Sequence, residues 1–129
     1  MKKLLLPLLS WILLSACQGM DRVDTSKVTP QEKEAVESLL WLKQADAQRD
    51  AREGVQRGDK RLLAMATRGG HLPGIAPELT SKAKSVCGLR YLPGSTDTVM
   101  GKTHLKLLQL AEEYAENYNR IMLKQCMGE

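Results

Sequence analysis

The clearest pattern lies in the last third of the chain, where Leu107 and Leu108, Ala111, Tyr114 and Ala115, Tyr118, Ile121 and Met122 recur every three or four positions. Gln109, Glu112, Glu113, Glu116, Asn117 and Arg120 fill the positions between them, so the segment from about 103 to 125 predicts an amphipathic helix with one buried face. A second helix is predicted over about 30–53. Thr29, Pro30, Gln31 and Glu32 have the form of a capping box, Glu32, Glu34 and Glu37 come early, Lys43, Arg49 and Arg52 come late, and Gly54 ends the run. Asp59 is expected to cap a shorter helix through Leu62, Leu63, Met65 and Ala66 to about Arg68, stopped by Gly69 and Gly70. After a Gly- and Pro-rich loop to Pro77, a further short helix is predicted through Leu79, Ala83 and Val86 to Cys87. Val86 to Leu92 reads as either extended or helical, because a second strand to pair with it is not evident. Leu72-Pro73-Gly74 and Leu92-Pro93-Gly94 echo each other as turn sequences. These elements predict an all-α fold, a small bundle of three to four helices.

The first residues follow another pattern. Lys2 and Lys3 precede an apolar stretch from Leu4 to Leu14, interrupted by Pro7 and Ser10, and the small residues Ser15 and Ala16 follow. About eleven residues at 1.5 Å each fall short of a hydrocarbon core of roughly 30 Å, so residues 1–16 are expected to be a secretory signal peptide rather than a membrane span. Leu14, Ser15, Ala16 and Cys17 resemble the lipobox of bacterial lipoproteins. The resemblance covers residues 1–17 only. It implies that the Cys17 thiol carries a diacylglyceryl group, that the bond before it is cut, and that the new amino terminus is acylated with palmitate-like chains. Two such chains already suffice for stable anchoring. Gln18 stands where an Asp would resemble an inner-membrane retention signal, so the resemblance implies the periplasmic face of the outer membrane. Residues 17–28, polar and mixed in charge, are then the lipidated Cys and its tether, and residues 29–129 a single helical domain.

Composition fits that division. Of 55 apolar residues, 12 fall within the first 17, leaving 43 in the remaining 112, enough for one small core and too few for two. Without Lys2 and Lys3 the formal charge drops from +4 to 17 minus 15, or +2, which argues against nucleic acid as a partner. With Cys17 acylated, Cys87 and Cys126 remain, the number that makes one disulfide. Neither belongs to a CxxC pair, and His71 and His104 show no ligand spacing to them, so no metal or cofactor is assigned.

Charge is unevenly spread. Residues 57–90 carry seven basic against two acidic groups, and the basic ones are Arg57, Lys60, Arg61, Arg68, Lys82, Lys84 and Arg90. On a tethered protein this block is a candidate contact for an anionic membrane surface; its plain reading is a solvated face. Trp41 falls on the polar side of the helix predicted over 30–53, beside Leu39, Leu40 and Leu42, and is a candidate partner contact unless a loop covers it.

Other constellations are better read as structure. Ser81-Lys82-Ala83-Lys84 has the S-x-x-K spacing of penicillin-interactive enzymes, but the further SDN-like and KTG-like elements are missing. Gly101-Lys102-Thr103 lacks the glycine spacing of a phosphate loop and reads as a helix start. Arg57-Gly58-Asp59 spells an adhesion tripeptide, yet Asp59 reads as a helix cap. His104, Tyr114 and Tyr118 read as core or core edge. The expected function is therefore that of a non-enzymatic envelope lipoprotein, an accessory or adaptor module for another envelope component. In size and layout it resembles the helical secretin pilotins, a resemblance of architecture alone. The alternative is a small ligand-binding protein or enzyme in which His71, Arg90 and Tyr91 converge on a pocket.

Overall fold

The computed structural model describes residues 28–66 and 69–128. The signal peptide, Cys17 and nearly all of the tether, together with Arg68, lie outside the described residues. Helix α1 spans Pro30–Leu39, a 3-10 turn follows over Leu40–Gln44, and α2 spans Ala47–Gln56. Strand β1, Leu62–Ala64, and strand β2, Leu89–Tyr91, flank α3, Thr80–Cys87, and the long helix α4 spans Lys102–Met127. The two strands pair in parallel with Leu63 opposite Arg90. The fold is thus mostly helical with one small two-stranded sheet, not purely all-α. A disulfide joins Cys87 to Cys126 with the Cα atoms 5.4 Å apart. Closing a loop of about 40 residues contributes on the order of 4 kcal/mol by the chain-entropy estimate.

Two elements differ from the sequence expectation, each for a physical reason. The continuous helix expected over 30–53 breaks at residues 40–46. Leu39, Leu40, Trp41 and Leu42 are four bulky residues in a row, more than one helical stripe holds. The tighter 3-10 turn puts Leu39 and Leu42 on one side, buried, and leaves Leu40 exposed. Asp46 then caps α2 by accepting the Arg49 amide at 3.1 Å, and Gly54 lies inside that helix rather than at its end. The helix expected after Asp59 is a strand instead. Leu62, Leu63, Ala64 and Met65 are all buried, and a fully buried strand reads as an unbroken apolar run that periodicity cannot tell from a helix. Its partner is the segment that read as either extended or helical. The other elements follow the sequence: the two Leu-Pro-Gly copies form matching turns closed by Ile75 N–H to Leu72 O and Ser95 N–H to Leu92 O, with Gly74 and Gly94 both at positive φ.

Helix α4 is the spine, and its buried stripe of His104, Leu107, Leu108, Ala111, Ala115, Tyr118, Asn119 and Met122 follows the predicted period. The chain from α1 to α2 runs along it in the same direction: Glu32 meets its first turn, Tyr114 reaches Asp50, and Gly54 packs against Tyr118 and Met122. Asn119 is fully buried within that apolar stripe. Its carboxamide accepts the Leu63 N–H at 2.7 Å and donates to Leu63 O and Pro73 O, both at 2.9 Å. Leu62 and Ala64 use their backbone groups to pair with the β2 side, so Leu63 faces the open edge of the sheet, and Asn119 stands in for the missing third strand.

At the other end of α4, Glu32 departs from the capping box that the sequence suggests. Thr29 Oγ1 accepts the Glu32 amide at 3.2 Å as expected. The Glu32 carboxylate instead caps α4, accepting the Thr103 and His104 amides at 3.1 and 3.2 Å. A Cβ at Gly101 would collide with that carboxylate and push it off the helix amides. His104 is fully buried, its Nδ1 accepts the Met100 N–H at 2.9 Å, and its Nε2 has no partner among the described residues. A ring nitrogen that accepts a hydrogen bond carries no proton, so this imidazole is neutral. Burial holds its pKa below the ordinary value, with Glu32 pulling weakly the other way.

Two predictions follow from these contacts. Asn119→Leu leaves three buried backbone groups without a partner at about 1–3 kcal/mol each, so a loss of about 3 kcal/mol or more is expected. That corresponds to a Tm drop on the order of 10 °C or more in thermal unfolding; an unchanged Tm means the carboxamide is dispensable. For His104 the folded pKa lies below the unfolded value of about 6.5, so below that pH the unfolded chain binds a proton the folded chain refuses. Stability measured by urea unfolding is expected to fall as pH drops from about 7 to about 5, with a shallower slope in His104→Asn, whose amide oxygen can still accept from Met100.

Candidate functional site

A cleft of about 240 Å³ opens where the 3-10 turn, the end of α2 and the middle of α4 meet β2. The residues that build it come from five separate elements. Leu63, from β1, and Tyr118, on the α4 stripe, are both buried and form its floor. Trp41 forms a wall because the 3-10 turn rotates it toward α4. It lies edge-on to Tyr114, ring centroids 5.2 Å apart, and its Nε1–H donates to Pro93 O at 3.1 Å. Trp41 is therefore half-buried and partly covered by the loop after β2. It is not the freely exposed residue of an unbroken helix.

The polar groups of the cleft are mostly tied to one another. Tyr114 donates its hydroxyl to Asp50 Oδ2 at 2.6 Å. Burial first, and then that carboxylate, push the Tyr114 pKa far above the ordinary tyrosine value, so the hydroxyl remains a donor at any physiological pH. Arg90 lies over the Tyr118 ring at 5.6 Å, donates to the Tyr118 hydroxyl at 3.4 Å and has its Nε 4.0 Å from Asp59 Oδ2. Asp59 caps no helix. It accepts the Arg61 amide and guanidinium, and that hydrogen-bonded guanidinium holds its carboxyl below the usual range. Glu53 and Arg57, four residues apart at the end of α2, complete the rim. The cleft thus offers an aromatic wall beside groups of both charges.

The structure brings some of the sequence candidates together and separates others. Trp41, Arg57 and Arg90 share the cleft. His71, Arg90 and Tyr91 do not converge: His71 Nε2 pairs with Glu112 at 2.8 Å, and strand alternation sends Arg90 to Tyr118 but Tyr91 to Gly70, beside a separate depression of about 630 Å³. Lys60 and Arg61 are exposed ahead of β1, and Lys82 and Lys84 are exposed on α3, as is Ser81. Arg68 and Cys17 lie outside the described residues. Sequence reasoning passed over Asp50 and Glu53. Their spacing of three, and that of Glu53 from Arg57, put them on one helical face, the signal that was available.

An absorbance titration tests the Tyr114–Asp50 pair. The wild type is expected to show a tyrosine ionising well above the ordinary value of about 10. Tyr114→Phe should remove that late step, and Asp50→Asn should shift it to lower pH by removing the charge. A titration that Asp50→Asn leaves unmoved refutes the pairing.

In comparisons with known proteins, no family model, no curated protein and no solved structure matches this chain.

Proposed function

We propose that this protein is an envelope lipoprotein, anchored through Cys17 on the periplasmic side of the outer membrane, whose helical domain is a non-enzymatic adaptor for another envelope component. The observation that carries the reading is the sequence Leu14-Ser15-Ala16-Cys17 directly after a short basic and apolar leader. The disulfide between Cys87 and Cys126 supports it independently, because such bridges persist in oxidising compartments and are rare in the cytosol. Within the cleft Asp50 and Arg90 are engaged with Tyr114 and Tyr118, which fits a surface built for contact.

A second reading, a binding protein for a small polar ligand, is favoured by one observation, the Trp41 and Tyr114 wall beside Glu53 and Arg57. It locates the ligand in that cleft and not around His71.

Metabolic labelling with a palmitate analogue tests the anchor. Wild-type protein is expected to incorporate label and to fractionate with outer membranes, whereas Cys17→Ala should carry no label and enter the soluble fraction. Equal labelling of the two, or none in the wild type, defeats the lipoprotein reading.

A further inference from the structure

The guanidinium of Arg90 is poorly served by the protein that holds it. Strand β2 carries it into the cleft, where its side chain is 27% exposed and lies over the Tyr118 ring. An arginine has five N–H donors to satisfy. One reaches the Tyr118 hydroxyl at 3.4 Å, near the limit of a hydrogen bond, and the buried Nε has no partner among the described residues. The carboxylate beside it, Asp59, stands 4.0 Å away and is already bonded to Arg61. A half-buried cation so short of acceptors gains strongly from an added carboxylate.

The charges around Arg90 are ordered along the cleft. Asp50, Glu53 and Arg57 line it from one face of α2. Asp50 meets Tyr114, which touches Trp41, whereas Gly54 packs on Tyr118, one helical turn further along α4, so Arg57 follows at the end where Arg90 lies. Glu53 and Arg57 are exposed, and neither side chain is in an ion pair among the described residues. The cleft therefore runs from carboxylates beside an aromatic wall to two guanidiniums, with two charges of each sign. Its volume of about 240 Å³ lies below the roughly 300–1,000 Å³ of pockets for drug-sized ligands, so its occupant is small. We propose that the cleft binds a small zwitterion, an amino acid or a dipeptide, with its carboxylate on Arg90 and Arg57 and its ammonium at Glu53 beside Trp41 and Tyr114. The inference rests on the reading of this cleft as a small-ligand site, names the ligand class for it, and needs nothing of the Cys17 anchor. The planar fork of a guanidinium matches a carboxylate, and an ammonium is drawn both to a carboxylate and to an aromatic ring. A ligand of one sign alone would meet a like charge at one end.

The test is isothermal titration calorimetry on the purified protein, with the free amino acids and the dipeptides alanyl-alanine and glycyl-leucine as probes. At least one is expected to bind, and the class that binds more tightly shows whether the zwitterion is an amino acid or a dipeptide. For the tightest ligand, acetylating the amine or converting the carboxylate to its amide should each weaken binding about tenfold or more. Arg57→Gln should weaken the parent ligand and leave the affinity of its amide unchanged, while Glu53→Gln should weaken the parent and leave the acetylated form unchanged. Arg90→Lys keeps the charge, loses the fork and should cost the parent ligand about tenfold. The Arg57 and Glu53 variants change exposed side chains only, and circular dichroism checks that all three remain folded. An acetylated or amidated form that binds as tightly as the parent leaves the small-ligand site standing and overturns the zwitterion. If neither the zwitterions nor their singly charged forms bind, both readings fall. Binding that none of the three substitutions alters lies outside this cleft and overturns the proposal as well.

Discussion

The structure depends on one side chain doing the work of a strand. A two-stranded sheet has two open edges, and here one lies inside the protein, where water cannot satisfy the Leu63 amide and carbonyl. The Asn119 carboxamide supplies both an acceptor and a donor at the spacing of a backbone, and its second N–H holds Pro73 O. Through this residue α4, β1 and the loop after β1 become one unit. An apolar residue in its place would pack as well as its neighbours Tyr118 and Met122 but would leave the sheet edge unpaired. The polar residue within the apolar stripe is thus a structural necessity for so small a sheet.

The same economy governs the first turn of α4. A helix start has unsatisfied amides, and Gly101 offers no side chain to cap them. Glu32 crosses from α1 to do so, a charge-assisted contact that also favours the positive end of the helix dipole. The carboxylate sits close to His104, which would favour an imidazolium, yet His104 remains neutral. Two effects compete there, and the outcome follows from position: the ring is fully buried, so desolvation outweighs the pull of Glu32, and the ring nitrogen is already committed as acceptor to Met100. Glu32 therefore directs its charge to the helix amides.

How much of this was legible in the sequence varies with the range of the interaction. Helix α4, the Thr29 cap, the helix ending at Cys87, the paired cysteines and the twin Leu-Pro-Gly turns are set by neighbours within four residues or by cysteine arithmetic, and sequence reading found them. The strand β1 was read as a helix because Leu62, Leu63, Ala64 and Met65 bury every side, which erases the alternation that marks a half-buried strand. Its identity lies in Leu89–Tyr91, beyond any local window. The loop offered as a cover for Trp41 is there, at Pro93, but the helix extended through Trp41 breaks, as four bulky residues in a row and Asp46 as a ready cap argue. Asn119 and Glu32 were both visible as residues, but their partners are 46 or more and 71 or more positions away.

That break also explains why a cleft exists. Had α1 and α2 been one straight helix, Trp41 would have pointed from its polar side, and α2 would have lain flush along α4. The 3-10 turn rotates the chain, so that Leu39 and Leu42 fill the core while Trp41 swings onto Tyr114 and is pinned by Pro93. The Tyr114 hydroxyl then reaches from α4 to Asp50 on α2. Further along, Gly54 lets α2 close on Tyr118 and Met122. The cleft is walled on one side by the Trp41–Tyr114 contact and floored by Tyr118, against which Gly54 packs. Its shape is set by the order of large and small residues along α2, and a larger residue at Gly54 would disturb the floor at Tyr118 before it touched the wall at Trp41.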